Sequence, residues 1–279
     1  MTRTRVIAAL ILAPVAIAAI LLLPTPWLMA LSAIVFLAGL WEWFRLADVE
    51  DTLARSVLLV LNLALMVALV WASRTSSGFN YVLIQLATVL GVVWWLLACL
   101  WLRHFEFGAD HERPYARVLK LLAGTAAIVP AWCAMGMLHH AEPNGHRWLF
   151  IALAIVWAAD SGAYFAGRRF GKRKLSPRIS PNKTIEGLAG GMACGLLVAL
   201  VFAPMAGAGW AQLPLVALAT VVAVAFSVVG DLFESLLKRH VGAKDSGDLI
   251  PGHGGILDRI DGVIAALPVF AVGKAWLGF

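Results

Sequence analysis

The chain has 279 residues, of which 61% are hydrophobic and 14% are charged, and its formal net charge is +6 at pH 7. Soluble domains are closer to half apolar and a quarter charged, so this composition is typical of an integral membrane protein. No separate soluble domain is evident, because no polar stretch is long enough to bury a core of its own.

Hydropathy predicts an all-α integral membrane protein with about nine transmembrane helices, because each apolar run approaches the ~20 residues that cross a bilayer. The first run follows Arg3 and Arg5 and could be a signal peptide. No small-residue cleavage site follows it, which favours an uncleaved helix. The predicted spans are 5–23, 27–46, 56–73, 81–102, 116–138, 148–167, 184–205, 213–237 and 257–277.

The distribution of Lys and Arg predicts the orientation of these helices. With the N-terminus inside, the inner segments hold all 22 Lys and Arg residues except Arg74, Arg147 and Lys274. Basic residues concentrate on the cytoplasmic side of membrane proteins. We therefore expect a cytoplasmic N-terminus, an external C-terminus and an active site at the cytoplasmic face.

Three cysteines, Cys99, Cys133 and Cys194, lie within apolar runs. Their odd number and their spacing match neither a disulfide framework nor a metal site, so they are predicted to be buried free thiols.

Polar residues divide the chain unevenly. Residues 1–140 have few charges within their spans, with Glu42 as an exception, and are predicted to be a scaffold that contacts lipid. Residues 141–279 are predicted to be the catalytic region. Asp160 lies within the sixth span and shares a helix face with Tyr164. A carboxylate in a span usually faces protein or water, so Asp160 either approaches a substrate or forms a hydrogen-bonded packing pair.

A basic loop follows the sixth span, with seven Lys and Arg residues between Arg168 and Lys183. It could simply determine topology beside anionic headgroups. Ser180 and Pro181 predict an N-cap and a first helical residue. Lys183 would then lie in a first helical turn, where backbone N–H groups attract phosphate.

The seventh span begins with one acidic residue, Glu186, followed by several small residues. Glu186 is predicted to orient Lys183 or to approach a metal. The glycines that follow predict a small-residue face for close helix packing and no catalytic role: Gly187, Gly190, Gly191 and Gly195.

The stretch from Asp231 to Asp261 concentrates charge at the eighth and ninth spans. Helical periodicity places Asp231, Ser235 and Lys238 on one face. Asp258 and Asp261 share a face at the start of the ninth helix. Carboxylates with open positions suit Mg²⁺, and the alternative is a salt-bridge network that includes the neighbouring Lys and Arg residues.

A glycine-rich loop precedes the ninth span. Gly254 and Gly255 let backbone N–H groups approach a ligand closely. His253 would donate to a phosphate or cap the turn, and the spacing leaves the role of Lys244 open.

The same stretch resembles the signature of the phosphatidate cytidylyltransferase family. The matching positions are Ser235-x-Leu237-Lys238-Arg239-x₄-Lys244-Asp245-x-Gly247-x₂-Ile250-Pro251-x-His253-Gly254-Gly255-Ile256-x-Asp258-Arg259-Ile260-Asp261. The resemblance extends over roughly residues 160–262, whereas the first half is similar in hydropathy alone.

This resemblance implies transfer of a cytidylyl group from CTP to phosphatidic acid, which gives CDP-diacylglycerol and pyrophosphate. It also implies Mg²⁺, with a second, monovalent cation as an option, and a homodimer in contact with membrane lipids. The predicted location is the inner membrane, as a multi-pass protein, and no nucleic acid is expected as a partner.

The resemblance and the residue pattern together assign roles. The predicted catalytic residues are Asp231, Ser235, Lys238, Asp258 and Asp261, and the metal ligands are Asp231, Asp258 and Asp261. The predicted substrate- and phosphate-binding residues are Lys183, Arg239, Lys244, His253, Gly254, Gly255, Arg259 and Asp160.

Three other functions agree less well with the sequence. Asp160 and Asp231 could form the ion path of a coupled transporter, but no internal repeat is visible. A CDP-alcohol phosphotransferase would need a D-G-x₂-A-R motif, which the sequence lacks. A structural membrane subunit would leave the stretch from Ser235 to Asp261 without an explanation.

Overall fold

A computed structural model describes residues 13–76, 78–104, 114–249 and 254–279. Within these ranges the chain is mostly helical. Eight of the described helices, α2 to α9, are long and apolar enough to cross a membrane. The helices are α1 (Ala13–Leu22), α2 (Thr25–Leu46), α3 (Thr52–Ala72), α4 (Val82–His104), α5 (Pro114–His140), α6 (Gly145–Phe170), α7 (Ile185–Phe202), α8 (Leu213–His240) and α9 (Leu257–Leu277).

The predicted all-α, multi-span fold is confirmed. The first predicted span begins at residue 5, and its residues 5–12 lie outside the described part of the chain. The thiols differ in part from the prediction. All three are free, and Cys133 is buried, but Cys99 and Cys194 are only half-buried because their helix faces are partly uncovered.

Two short antiparallel hairpins interrupt the helices. Strands β1 (Arg74–Thr75) and β2 (Gly78–Phe79) pair after α3, and β3 (Lys174–Ser176) and β4 (Ser180–Thr184) pair after α6. The second hairpin lies in the basic loop and includes Ser180 to Thr184, a segment that was predicted to begin a helix.

The predicted start of α7 at Ser180 and Pro181 is wrong. Both residues belong to β4, where Ser180 pairs with Ser176. Thr184 is the true N-cap, with an extended backbone and a hydroxyl that accepts a hydrogen bond from Gly187 N at 3.0 Å. Hairpin pairing competes with helix formation here, so Lys183 lies at the end of a strand.

Helix α9 lies at the centre of the bundle. Its residues 262–272 are almost all buried, and it packs against α2, α4, α5, α6 and α8. The described residues of 1–140 and of 141–279 therefore share one core, although the division of roles between them stays a prediction. Phe233 of α8 adds to this core by stacking on Trp43 of α2 with ring centroids 5.8 Å apart.

Helices α6 and α7 pack closely along the predicted glycine face. A methyl group added at Gly191 would lie 2.7 Å from the carbonyl oxygen of Ala159, and one at Gly187 would lie 2.9 Å from that of Ala163. Such distances leave no room for a side chain, so the prediction of close packing is confirmed.

The connections that carry the basic residues meet at one end of the bundle, which we call the basic end. Contacts there join Lys120 Nζ to Asp48 Oδ2 at 2.8 Å and Arg239 Nε to Ile179 O at 3.3 Å. Contacts at the opposite end join Thr25 Oγ1 to His139 Nδ1 and Arg147 to Met205 O, each at 2.8 Å. The alternation of inner and outer segments therefore agrees with the predicted topology.

Candidate active site

A cleft of about 590 Å³ opens between α6, α7, α8 and the β4 strand. Three of the charged side chains that line it were predicted to be functional, namely Asp160, Lys183 and Asp231. They come from three different elements and reach the cleft because the glycine-lined contact keeps α6 and α7 close together. We call this cavity the α6–α8 cleft.

Asp231 is the best-connected carboxylate in the α6–α8 cleft. Lys183 Nζ forms an ion pair with Asp231 Oδ2, and Ser235 Oγ donates to Asp231 Oδ1 at 3.3 Å. The side chain of Asp231 is 37% exposed, so a ligand in the cleft can reach it. Asp160 is also exposed and interacts electrostatically with both Asp231 and Lys183. The predicted helix face of Asp231 and Ser235 is confirmed.

Lys238 connects two carboxylates instead of entering the cleft. Its Nζ donates to Glu234 Oε2 at 2.9 Å and to Asp258 Oδ1 at 2.7 Å. Glu234 is 1% exposed, so the lysine neutralises a deeply buried charge while it joins α8 to α9. We call Glu234, Lys238 and Asp258 the bridge cluster. Its two ion pairs belong to the salt-bridge network that was the predicted alternative to an Mg²⁺ site.

Asp258 has protein donors on both oxygens. Besides Lys238 at Oδ1, its Oδ2 accepts from Ser246 N at 3.0 Å and from Gly255 N at 2.9 Å. The hydroxyl of Ser246 lies 3.0 Å from the same oxygen. Asp258 is therefore held by the loop before α9, in an arrangement that leaves little room for a metal ion.

Asp261 lies on the other side of this helix start, beside α8. A methyl group added at Gly230 would be 3.1 Å from the carbonyl carbon of Asp261, so the two helices touch through their backbones here. The Asp261 carboxylate interacts electrostatically with Asp231, Glu234 and Lys183, and its Oδ1 accepts from Gly262 N at 2.7 Å. The structure thus places Asp261 against Gly230, the residue before Asp231, and not among the residues that line the α6–α8 cleft.

These contacts test the fit of the expected Mg²⁺. Among the described residues, no group of three Asp, Glu, His or Cys side chains is arranged as a metal site. Mg²⁺ commonly takes only one or two carboxylates and completes its shell with water and substrate phosphate. Asp231 fits that donor set because its side chain is 37% exposed, although it contacts Lys183 and Ser235, and Asp261 has only the N–H of Gly262 as a hydrogen-bond donor among the described contacts. Asp258, with its oxygens held by Lys238, Ser246 and Gly255, does not fit it.

The other predicted phosphate-binding residues lie near these clusters. Arg239 donates to the carbonyl of Ile179, and Lys244 and Arg259 are exposed at the basic end. Gly255 gives its N–H to Asp258, whereas Gly254 adopts a φ of +82°, which favours glycine. His253 lies outside the described residues.

Glu186 has a role that the sequence did not predict. Its Oε2 accepts from the backbone N–H of Lys172 at 3.0 Å and of Arg173 at 3.1 Å, and its Oε1 pairs with Arg173 Nε at 3.1 Å. It therefore fixes the β3–β4 hairpin to α7 and neither orients Lys183 nor approaches a metal ligand.

Several site residues were missed by the sequence reasoning. Asn182, Ser227 and Arg168 line the α6–α8 cleft, and Ser246 holds Asp258. Single polar residues have no periodic signal, so only their position after folding distinguishes them. Tyr164, which the helix period did place beside Asp160, lines the cleft and accepts from Arg168 at 3.2 Å.

Comparison with known proteins places this geometry in a family. The model of the "Cytidylyltransferase family" matches residues 3–275. A phosphatidate cytidylyltransferase of Pseudomonas aeruginosa is 39% identical over 97% of this chain and 96% of its own length. One from Haemophilus influenzae is 36% identical over 97% and 98%. One from Bacillus subtilis is 46% identical over 47% of this chain and 48% of its own length. The chain belongs to the cytidylyltransferase family.

Proposed function

We propose that this protein transfers the cytidylyl group of CTP to phosphatidic acid and releases pyrophosphate, which gives CDP-diacylglycerol. The observation that carries the proposal is the α6–α8 cleft, in which Lys183 and Asp231 face an opening between membrane-spanning helices. Full-length similarity to relatives of that name supports the same reaction. A transporter would not need the signature residues from Ser235 to Asp261 at one end of the bundle.

The reaction joins two polyanions. An oxygen of the lipid phosphate attacks the α-phosphorus of CTP, and the bond from that phosphorus to the oxygen bridging to the β-phosphate breaks. The lipid phosphate is already ionised, so no strong base is required. The principal barrier is charge repulsion, and catalysis of phosphoryl transfer depends on positioning and electrostatic stabilisation.

The side chains of the α6–α8 cleft supply these two effects. Lys183 and Arg168 present cations to the cleft, where they would hold phosphate oxygens by charge-assisted hydrogen bonds. Ser235 holds the Asp231 carboxylate in place. Among exposed residues at the basic end, Lys244 and Arg259 would attract the triphosphate before it enters.

We further propose that the enzyme requires Mg²⁺, held by Asp231 and Asp261. When bound, the ion would supply positive charge for the CTP phosphates and for the leaving pyrophosphate. The donor chemistry of these two carboxylates supports this choice, and the bridge cluster would then orient α9 and Asp261. A second, monovalent cation stays an option.

The basic end is proposed to face the cytoplasm of a bacterial inner membrane, since positive charge marks the cytoplasmic side and CTP is cytoplasmic. Acyl chains would lie against the apolar helices while the lipid phosphate enters the α6–α8 cleft. The expected homodimer stays a prediction from the family resemblance.

The deciding experiment uses purified protein in detergent with phosphatidic acid, radiolabelled CTP and Mg²⁺. Labelled CDP-diacylglycerol and one equivalent of pyrophosphate are the expected products. If the protein folds but forms no labelled lipid with any phosphatidic acid tested, the proposed function is wrong.

A further inference from the structure

Glu42 is a buried carboxylate in the half of the chain assigned to scaffold. It lies in the last two turns of α2 and is 2% exposed. A buried charge is destabilising unless donors compensate it. Donors from the distant α8–α9 loop and from the start of α9 reach its Oε2, whereas its Oε1 has no hydrogen-bond partner among the described residues.

The Oε2 atom of Glu42 accepts from the backbone N–H of Leu257 at 2.8 Å, and Ser246 Oγ lies 3.0 Å from the same atom. Leu257 is the first residue of α9, whose own N-cap residue, Ile256, provides no capping side chain. A carboxylate that accepts the N–H of a helix start stabilises that start. Glu42 therefore caps α9 from another helix, 215 residues away in the chain.

The loop is shaped around this carboxylate. A methyl group added at Gly247 would lie 2.5 Å from Glu42 Cδ, and one added at Gly255 would clash with Glu42 Oε2. Arg45, one turn after Glu42, donates to the carbonyl oxygen of Ser246 at 2.6 Å. Two side chains of α2 thus hold the segment that contains Ser246.

The same segment holds the bridge cluster. Ser246 N and Gly255 N donate hydrogen bonds to Asp258 Oδ2, and Asp258 Oδ1 accepts a hydrogen bond from Lys238 Nζ. One turn further along α9 lies Asp261. The Ser246 hydroxyl lies between Glu42 and Asp258, at 3.0 Å from each carboxylate oxygen.

We propose that Glu42 is a positioning residue for the reaction: by accepting from Leu257 and Ser246, it sets the start of α9 and the placement of Asp258 and Asp261. This inference rests on the proposed function for its consequence in catalysis. The contact itself is independent of the substrate. It gives the N-terminal half of the chain a direct part in the geometry of the site.

The test compares two substitutions of Glu42. Glu42→Gln keeps an acceptor oxygen for Leu257 and Ser246, whereas Glu42→Leu removes it. We expect Glu42→Leu to lower kcat per folded molecule by at least about tenfold, because the loss of a hydrogen bond to a charged acceptor corresponds to a factor of roughly 10 to 100 in rate. We expect Glu42→Gln, which keeps an acceptor oxygen, to retain kcat within about threefold. Glu50→Leu, an exposed carboxylate at the same end of the bundle, is the matched control.

Activity must be normalised to folded protein by size-exclusion chromatography and thermal unfolding. A merely structural role would lower the yield or the unfolding temperature of Glu42→Leu and leave kcat per folded molecule unchanged. That result would overturn the inference. An equally large loss in Glu42→Gln would also overturn it, since the negative charge and not the acceptor would then be responsible.

Hydrogen–deuterium exchange gives a readout that does not depend on turnover. Peptides that contain Ser246 and Leu257 should exchange faster in Glu42→Leu than in wild type, and should be unchanged in Glu50→Leu. Unchanged exchange in Glu42→Leu contradicts the proposed contact. If wild type makes no labelled lipid, the proposed function fails while this measurement still decides the role of Glu42.

Should Glu42→Leu not fold, Ser246→Ala removes the hydroxyl between the two carboxylates and retains the Ser246 N–H. We expect its kcat to fall at least about threefold, consistent with the loss of one hydrogen bond to a charged group. A kcat equal to that of wild type would contradict the inference.

Discussion

At the residue scale, the properties of the site depend on which of its few charged side chains pair with each other, and on how exposed each pair is. Asp231 is partly exposed and paired with Lys183, whereas Lys238, which is half-buried, is shared by Asp258 and the fully buried Glu234. An accessible pair can exchange partners when an anion or a cation binds. A buried pair is expensive to break, because one charge is then left without compensation. The two lysines therefore have different roles, despite being equivalent by residue type.

Asp231→Asn tests the accessible carboxylate. The substitution keeps the shape of the side chain and removes the charge that would hold Mg²⁺, so we expect a folded protein with turnover at least ~100-fold lower, a loss of about 2.7 kcal/mol in transition-state stabilisation. EDTA should abolish turnover of the wild type, and added Mg²⁺ should restore it. Asp248→Asn, an exposed carboxylate in the α8–α9 loop, is the control. Full activity of Asp231→Asn at saturating Mg²⁺ contradicts the mechanism.

Lys238→Ala tests the bridge cluster. Without the ammonium, the buried Glu234 carboxyl loses both its hydrogen-bond donor and its compensating charge, so the folded state should lose about 3 kcal/mol. Thermal unfolding in detergent measures this loss, and adding Glu234→Gln should restore part of it because the uncompensated charge disappears. Lys244→Ala, at an exposed lysine, should leave the unfolding temperature unchanged. Equal unfolding temperatures for Lys238→Ala and wild type would show that the bridge does not stabilise the fold.

At the scale of elements, the contact between α6 and α7 determines the shape of the α6–α8 cleft. Asp160 projects from α6, Lys183 precedes α7, and the glycines between these helices bring both residues to the same cavity. Within a bilayer there is little hydrophobic drive between helices, so close van der Waals packing of small residues supports their association. The same packing therefore serves stability and site geometry.

Gly191→Ala tests this contact. The added methyl would lie 2.7 Å from Ala159 O, so the helices must separate, with an overpacking cost of about 1–3 kcal/mol. We expect a lower unfolding temperature together with a higher KM for CTP, as the cleft widens. Ala189→Val, on an exposed face of the same helix, should change neither quantity. If Gly191→Ala unfolds at the wild-type temperature, the helices are not packed as described.

At the scale of the whole molecule, the alternating connections place almost all of the basic residues that the structure describes at the basic end. That arrangement agrees with the contact between Lys120 and Asp48 and with the contact between Arg239 and Ile179. It also brings the basic loop and the α8–α9 loop to the level where a soluble nucleotide would arrive. A cytoplasmic N-terminus together with the predicted external C-terminus requires an odd number of spans.

Reporter fusions test the orientation. Fusions at residues 110, 175 and 245 should all report the cytoplasm, and a fusion at residue 208 should report the outside, because positive charge is retained on the cytoplasmic side. An outside signal at 175 or 245 would contradict the nine-span topology.

The sequence by itself determined the features that depend on local composition and helical period. Apolar runs defined the spans, since each must fill the bilayer with its own residues. The shared face of Asp231 and Ser235 followed from the 3.6-residue period and is confirmed by their hydrogen bond. The glycine face of α7 was predictable for the same reason, and the signature supplied the family.

Only the tertiary structure decided which charges meet. Lys183 reaches Asp231 from a hairpin that displaced the predicted helix start, and Asp258 receives donors from Ser246 and Gly255. Glu42 contacts a loop more than two hundred residues away. Such pairs have no local signal, because each depends on the packing of several helices. In a bundle with few charges, that packing determines whether a carboxylate is left accessible to a substrate or is already occupied by the protein.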